Sequence, residues 1–180
     1  FSDGDELGRL RSIHLEHEMV VAPEYRDSSM LFGLGPWYVD LLDTFTESQA
    51  DEVKLIPSEV RKDGLVVKGR VEVTFMSGAS AVWSFSFDGP RDLSLTLSLV
   101  GENGTAKADL TTGKYSLKRT GGEMQSATAD CTRPEAGYIG MRENLHAFVD
   151  AIRGAAKTLS GPDVLRRIQP TLVELARQET

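Results

Sequence analysis

The stretch 23–45, PEYRDSSMLFGLGPWYVDLLDTF, gathers the side chains best suited to recognising a polar ligand. Tyr25, Arg26 and Asp27 form a polar run, and Gly35-Pro36 reads as a helix start, because proline suits a first helical position where an amide would be unpaired anyway. A helix start presents free N–H groups and the positive end of its dipole. Hydroxyls or anions can be held there, with Trp37 or Tyr38 stacking on a sugar ring. In a second reading Pro36 only starts the helix, while Trp37 and Tyr38 plug the core. The residues alone leave both open.

Other candidates are weaker. In His14-Leu15-Glu16-His17-Glu18 the two histidines point to opposite faces of a strand, whereas a zinc protease needs them one helical turn apart with a glutamate between. His14 and Glu16 share a face that can meet a ligand or simply water. His146 reads as a boundary residue of a helix, and Cys131 carries no motif and no nearby histidine, so an inert thiol is expected. Gly33-Leu34-Gly35 lacks the third glycine and the leading apolar strand of a dinucleotide fingerprint. No phosphate-loop lysine and no Gly-x-Ser-x-Gly elbow occurs.

Period-2 alternation marks the elements that must position these residues. In 9–21, Ile13, Leu15, Met19 and Val21 oppose Ser12, His14, Glu16 and Glu18. In 65–76, Val67, Val71, Val73 and Phe75 oppose Lys68, Arg70, Glu72 and Thr74, and Ser77-Gly78 turns the chain back. A return strand follows with Ala81, Trp83, Phe85 and Phe87 inward. Leu93, Leu95, Leu97 and Leu99 then alternate with Ser94, Thr96 and Ser98 up to the hairpin pair Asn103-Gly104, and short strands are expected at 106–110 and 114–118. Three helices are predicted: one opening at Gly35-Pro36 with Trp37, Leu41 and Phe45 in a stripe, one over 141–153, and one from Ser160 that sends Leu165, Ile168, Leu172 and Leu175 inward and bends at Pro170. Residues 120–140 read as a long loop. The expected fold is α+β, a mainly antiparallel open-faced sheet with helices packed on one face.

With 180 residues and a formal charge of −7, the chain can bury one core and lacks the attraction to phosphate backbones that nucleic-acid binders need. Neither nucleic acid nor membrane is expected as a partner. A single cysteine allows no intrachain disulfide and fits a reducing compartment, so a cytoplasmic location is expected, with no metal. The opening Phe1-Ser2-Asp3-Gly4-Asp5-Glu6 has no apolar signal core and reads as a cut linker.

Taken in order, several segments resemble the C-terminal domain of the Gfo/Idh/MocA family of NAD(P)-dependent oxidoreductases. Gly4-Asp5-Glu6-Leu7-Gly8-Arg9-Leu10 is similar to the link into that domain's first strand, and Gly33-Leu34-Gly35-Pro36-Trp37-Tyr38-Val39-Asp40 to the family segment D-x-G-x-H-x-x-D. Gly101 to Thr105 resembles a late hairpin, and 144–153 with 160–177 a closing helix pair. The resemblance implies that 1–180 form one substrate-binding and oligomerisation domain, whose N-terminal Rossmann partner lies outside this chain. It implies no cofactor in the chain itself, NAD or NADP in the full-length protein, a sugar- or polyol-like substrate, and a homo-oligomer formed through the sheet. Substrate contacts are assigned to Tyr25, Arg26, Trp37, Tyr38 and Asp40. The family's active-site aspartate and histidine are Gly33 and Trp37 here, and an indole N–H only donates, so either the proton relay comes from other residues, such as Tyr25, Tyr38 or a lysine of the missing domain, or the usual chemistry is lost. Two rivals follow: a binding or assembly module that kept the fold and lost that pair, and a dehydratase or hydrolase of the same superfamily.

Overall fold

A computed structural model describes residues 6–21, 28–129, 149 and 162–179. Among them eight strands form one sheet. They are β1 (Leu10–Val20), β2 (Ala50–Val60), β3 (Val66–Phe75), β4 (Ser80–Ser86), β5 (Asp88–Gly101), β6 (Gly104–Asp109), β7 (Lys114–Arg119) and β8 (Met124–Thr128). Two helices are described, α1 (Met30–Thr46) and α2 (Pro162–Glu179). The strand order is β2-β3-β4-β1-β5-β6-β7-β8, and every neighbouring pair is antiparallel except β1 with β4. The expected α+β open sheet is thus observed.

The pleat explains the burial. Ile13, Leu15 and His17 on β1, Val71, Val73 and Phe75 on β3, and Ala81, Trp83 and Phe85 on β4 face the helices and are buried, while His14, Glu16, Lys68 and Arg70 alternate outward. Trp83 is wholly buried and joins Tyr38, Phe85, Phe87 and His17 in one aromatic cluster with centroid spacings of 4.7–5.7 Å. The Ser77-Gly78 turn forms as expected, with Gly78 at φ +83° and its N–H on the Phe75 carbonyl at 2.8 Å. The hairpin at Asn103-Gly104 also forms, for a different reason. Gly104 keeps a negative φ, but a Cβ there would lie 2.4 Å from the Lys118 carbonyl oxygen.

Five expectations need correction. Helix α1 begins at Met30, not at Gly35-Pro36: the Ser29 hydroxyl caps it by accepting the Phe32 N–H at 3.3 Å, and Pro36 is interior. Trp37 is not in the buried stripe, which runs through Leu31, Gly35, Tyr38, Val39 and Leu42. The stretch 120–140 is not all loop, since β8 occupies part of it; every β8 residue is exposed, so no burial pattern marked it. Leu165 points to solvent at the start of α2, although Ile168 and Leu175 are buried. Leu93 ends its leucine row exposed, beyond the cover that buries Leu97 and Leu99. Strand β2 was not anticipated at all. As an edge strand it buries only Leu55, and Pro57 breaks its pattern. Helix α2 runs unbroken through Pro170. Of the helix expected over 141–153 only Val149 is described, as helical and exposed; Cys131 and His146 lie outside the described residues.

Candidate functional site

On α1, Gly33, Trp37 and Asp40 follow one another at helical spacing, i, i+4 and i+7, and so share one stripe of the helix. This stripe is turned away from the sheet. Trp37 is 76% exposed, and a Cβ built on Gly33 meets nothing within 4 Å. The core-plug reading therefore holds for Tyr38 and fails for Trp37. Tyr38 is buried against Trp83, its hydroxyl 3.4 Å from His17 Nε2, and burial pushes its phenol up to about 12. His17 is equally enclosed. Burial lowers it to about 4, so it is neutral at neutral pH, with Nδ1 unpartnered. This buried pair is sealed from any ligand lying on the Trp37 stripe.

Asp40 is held from the second helix. The Arg167 guanidinium on α2 donates through Nη2 to Asp40 Oδ1 at 2.9 Å, and its Nε lies 3.0 Å from Asp43 Oδ2. Asp43 is buried, and desolvation first, then the charge of Asp40, raises its pKa against the lowering effect of Arg167. One guanidinium thus ties two carboxylates of α1 to α2. Together Trp37, Asp40 and Arg167 offer an aromatic face, a carboxylate acceptor and a planar donor, the three kinds of group that hold a polyhydroxylated ring. Sequence reasoning missed Arg167 and Asp43. The available clue was the i, i+3 pair Asp40 and Asp43 on a helix otherwise free of charge between Met30 and Val39.

Gly33 and Gly35 are helix-interior residues. The Gly33 N–H is bonded to the Ser29 carbonyl at 3.1 Å, and Gly35 lets α1 approach Leu172 of α2, where a Cβ would sit 3.4 Å from that side chain. Neither glycine offers a free amide to a pyrophosphate. Tyr25 and Arg26 lie outside the described residues. His14, on the opposite side of the sheet, sits 3.4 Å from the Ser84 hydroxyl on an exposed face. Among the described residues no three His, Cys, Asp or Glu side chains converge to hold a metal ion, and no helix is long and apolar enough to cross a membrane.

No protein-family model and no curated protein sequence matches the chain. Solved structures do. UDP-N-acetylglucosamine 3-dehydrogenase GnnA from Acidithiobacillus ferrooxidans superposes with a TM-score of 0.80 at 13% identity over 96% of this chain and 54% of its own. The WlbA dehydrogenase from Bordetella pertussis, in complex with NADH and UDP-GlcNAcA, gives 0.68 at 15% identity over 97% and 54%. A dehydrogenase from Chromobacterium violaceum gives 0.75 at 19% over 96% and 54%. The chain has the fold of one half of these dehydrogenases. Such neighbours are of the Gfo/Idh/MocA type, so the fold implied by the sequence resemblance is the fold observed. The chain spans about half their length.

Proposed function

We propose that this chain is the substrate-binding and oligomerisation half of an NAD(P)-dependent oxidoreductase acting on a sugar- or polyol-like substrate. The observation that carries the reading is the exposed Trp37 indole beside the Asp40–Arg167 pair, on a helix whose core contacts are complete without it. The indole stacks on the ring, Asp40 accepts from its hydroxyls and Arg167 fixes the carboxylate; Tyr25 and Arg26 stand as further candidates. Residues 1–180 act as one unit in the cytoplasm, and the nucleotide-binding half is the partner that supplies NAD or NADP and covers the apolar residues Phe32 and Leu165 on the helical layer. GnnA and WlbA are named for, or bound to, sugar nucleotides, which supports a sugar-like substrate. The hydroxyl-rich outer sheet face, with Ser84, Ser98 and the exposed Val100, is the assembly surface; a strict monomer by light scattering at every concentration overturns that part.

The test uses the protein translated together with its upstream coding region. NAD(P)H-linked oxidation across a panel of sugars and sugar nucleotides is expected, and Trp37→Ala is expected to raise KM at least tenfold with melting temperature unchanged. No turnover with any of them overturns the oxidoreductase reading. The presence of Gly33 and Trp37 at the acid/base positions favours the rival, a binding or assembly module. Because Gly33 has open space and Trp37 is exposed, Gly33→Asp with Trp37→His leaves the core intact. If catalysis appears only in that double variant, the natural protein is the module.

A further inference from the structure

Strand β2 is one edge of the sheet, and the last turn of α2 reaches it. Gln178 Oε1 accepts the Leu55 N–H at 2.6 Å, and Gln178 Nε2 donates to the Val53 carbonyl at 2.9 Å. Bonding to the N–H of residue 55 and the carbonyl of residue 53 is what one residue of an added parallel strand would do opposite Lys54. Nε2 also donates to Glu174 Oε1 at 2.8 Å, one helical turn back, which fixes the amide's orientation. Next to it, Glu179 accepts from the Ser29 hydroxyl at 2.5 Å and from the Val66 N–H at 3.4 Å, so the same turn is fastened to α1 and β3.

We propose that Gln178 is an edge guard: it occupies the outward backbone groups of β2 that a second copy of this chain would otherwise use, and without it two copies pair β2 against β2. The residues around it select that occupant. Val53 and Leu55 turn their N–H and C=O groups away from β3, so two copies can meet antiparallel with Val53 facing Val53 in a hydrogen-bonded pair. In that register Glu52 of each copy stands directly opposite Lys54 of the other, a favourable cross-strand pair formed twice. The regular part of β2 lies between its register shift at Asp51 and Pro57, which cannot donate to a ladder, so the symmetric pairing centres on Glu52, Val53 and Lys54. Unguarded edges of this kind are where chains associate. This inference does not depend on the oxidoreductase reading.

Sedimentation velocity over a wide concentration range tests it, together with hydrogen exchange at the Leu55 amide. Gln178 is exposed, so Gln178→Ala keeps the fold. Leu55 exchange at low concentration is expected to accelerate at least tenfold, and a species of twice the parent mass is expected to grow with concentration. Adding Lys54→Glu sets Glu52 against a like charge and abolishes that species; adding Glu52→Lys as well restores it. Unchanged Leu55 exchange overturns the guard. Unchanged sedimentation, or association that ignores the charge changes, overturns the pairing of β2 with itself.

Discussion

Trp37 and Trp83 are the two tryptophans of the chain, and their environments set opposite expectations. Trp83→Ala empties the centre of the aromatic cluster and is expected to cost about 3–5 kcal/mol in urea unfolding, whereas Trp37→Ala costs under ~0.5 kcal/mol because no core contact is lost. His17 gives a pH signature. With its folded pKa near 4 and an unfolded value near 6.5, stability is full above pH 6.5. As pH falls from 6.5 toward 4 the unfolded chain takes a proton that the folded chain refuses, so stability drops by on the order of 3 kcal/mol and then levels. His17→Phe should remove that slope, seen as a denaturation midpoint less sensitive to pH between 6.5 and 4 than in the parent. The inward place of His17 was legible, since it continues the Ile13 and Leu15 face. The exposure of Trp37 was not: stripe position depends on where α1 begins, and Ser29, not Pro36, sets that.

At the scale of elements, one guanidinium ties two carboxylates of α1 to α2. Replacing Arg167 with Met leaves Asp43 buried beside Asp40 with no compensating cation, and a cost of about 1–3 kcal/mol is expected at pH 7, reduced by the partial exposure of Arg167. The sign with pH is the reverse of that for His17. The Asp43 carboxyl, already raised by burial, rises further above its unfolded value, so the variant loses stability as pH increases through that range and is least impaired near pH 4. Chemical denaturation at pH 4 and pH 7 checks this, and Asp43→Asn in the same background should recover much of the loss at pH 7. Elements with two chemically distinct faces were readable in the sequence, as β1, β3 and β4 show. Those without, β2 with Pro57 and the wholly exposed β8, were not, because alternation is written by burial and these edges bury almost nothing. The site follows the same rule: Asp40 was legible within its motif, whereas its partner Arg167 lies far along the chain and meets it only through helix packing.

Across the whole molecule, the sheet has two unlike edges, one covered at Gln178 and one formed by the short, exposed β8. It also has an unusual centre. Strands β4 and β5 are consecutive in the chain, separated only by Phe87, yet they do not pair with each other; β1 lies between them, parallel to one and antiparallel to the other. Leu15 and Ile13 are accordingly clamped from both sides, opposite Trp83 and Leu97 and opposite Ala81 and Leu99. That arrangement fixes a timetable for synthesis. Once β1 has left the ribosome it has no ladder partner until Ser80 and the residues after it have followed, a delay of about 60 residues, or roughly 3–12 s at ~5–20 residues per second. During that interval the apolar face of Ile13 and Leu15, which ends fully buried, is open to solvent. The long loops that must close before β1 is gripped place its docking among the slow steps of folding. A pulse-labelled translation reaction should therefore show the amides of Ile13 and Leu15 unprotected in nascent chains that end before β4, and protected only once β5 is complete.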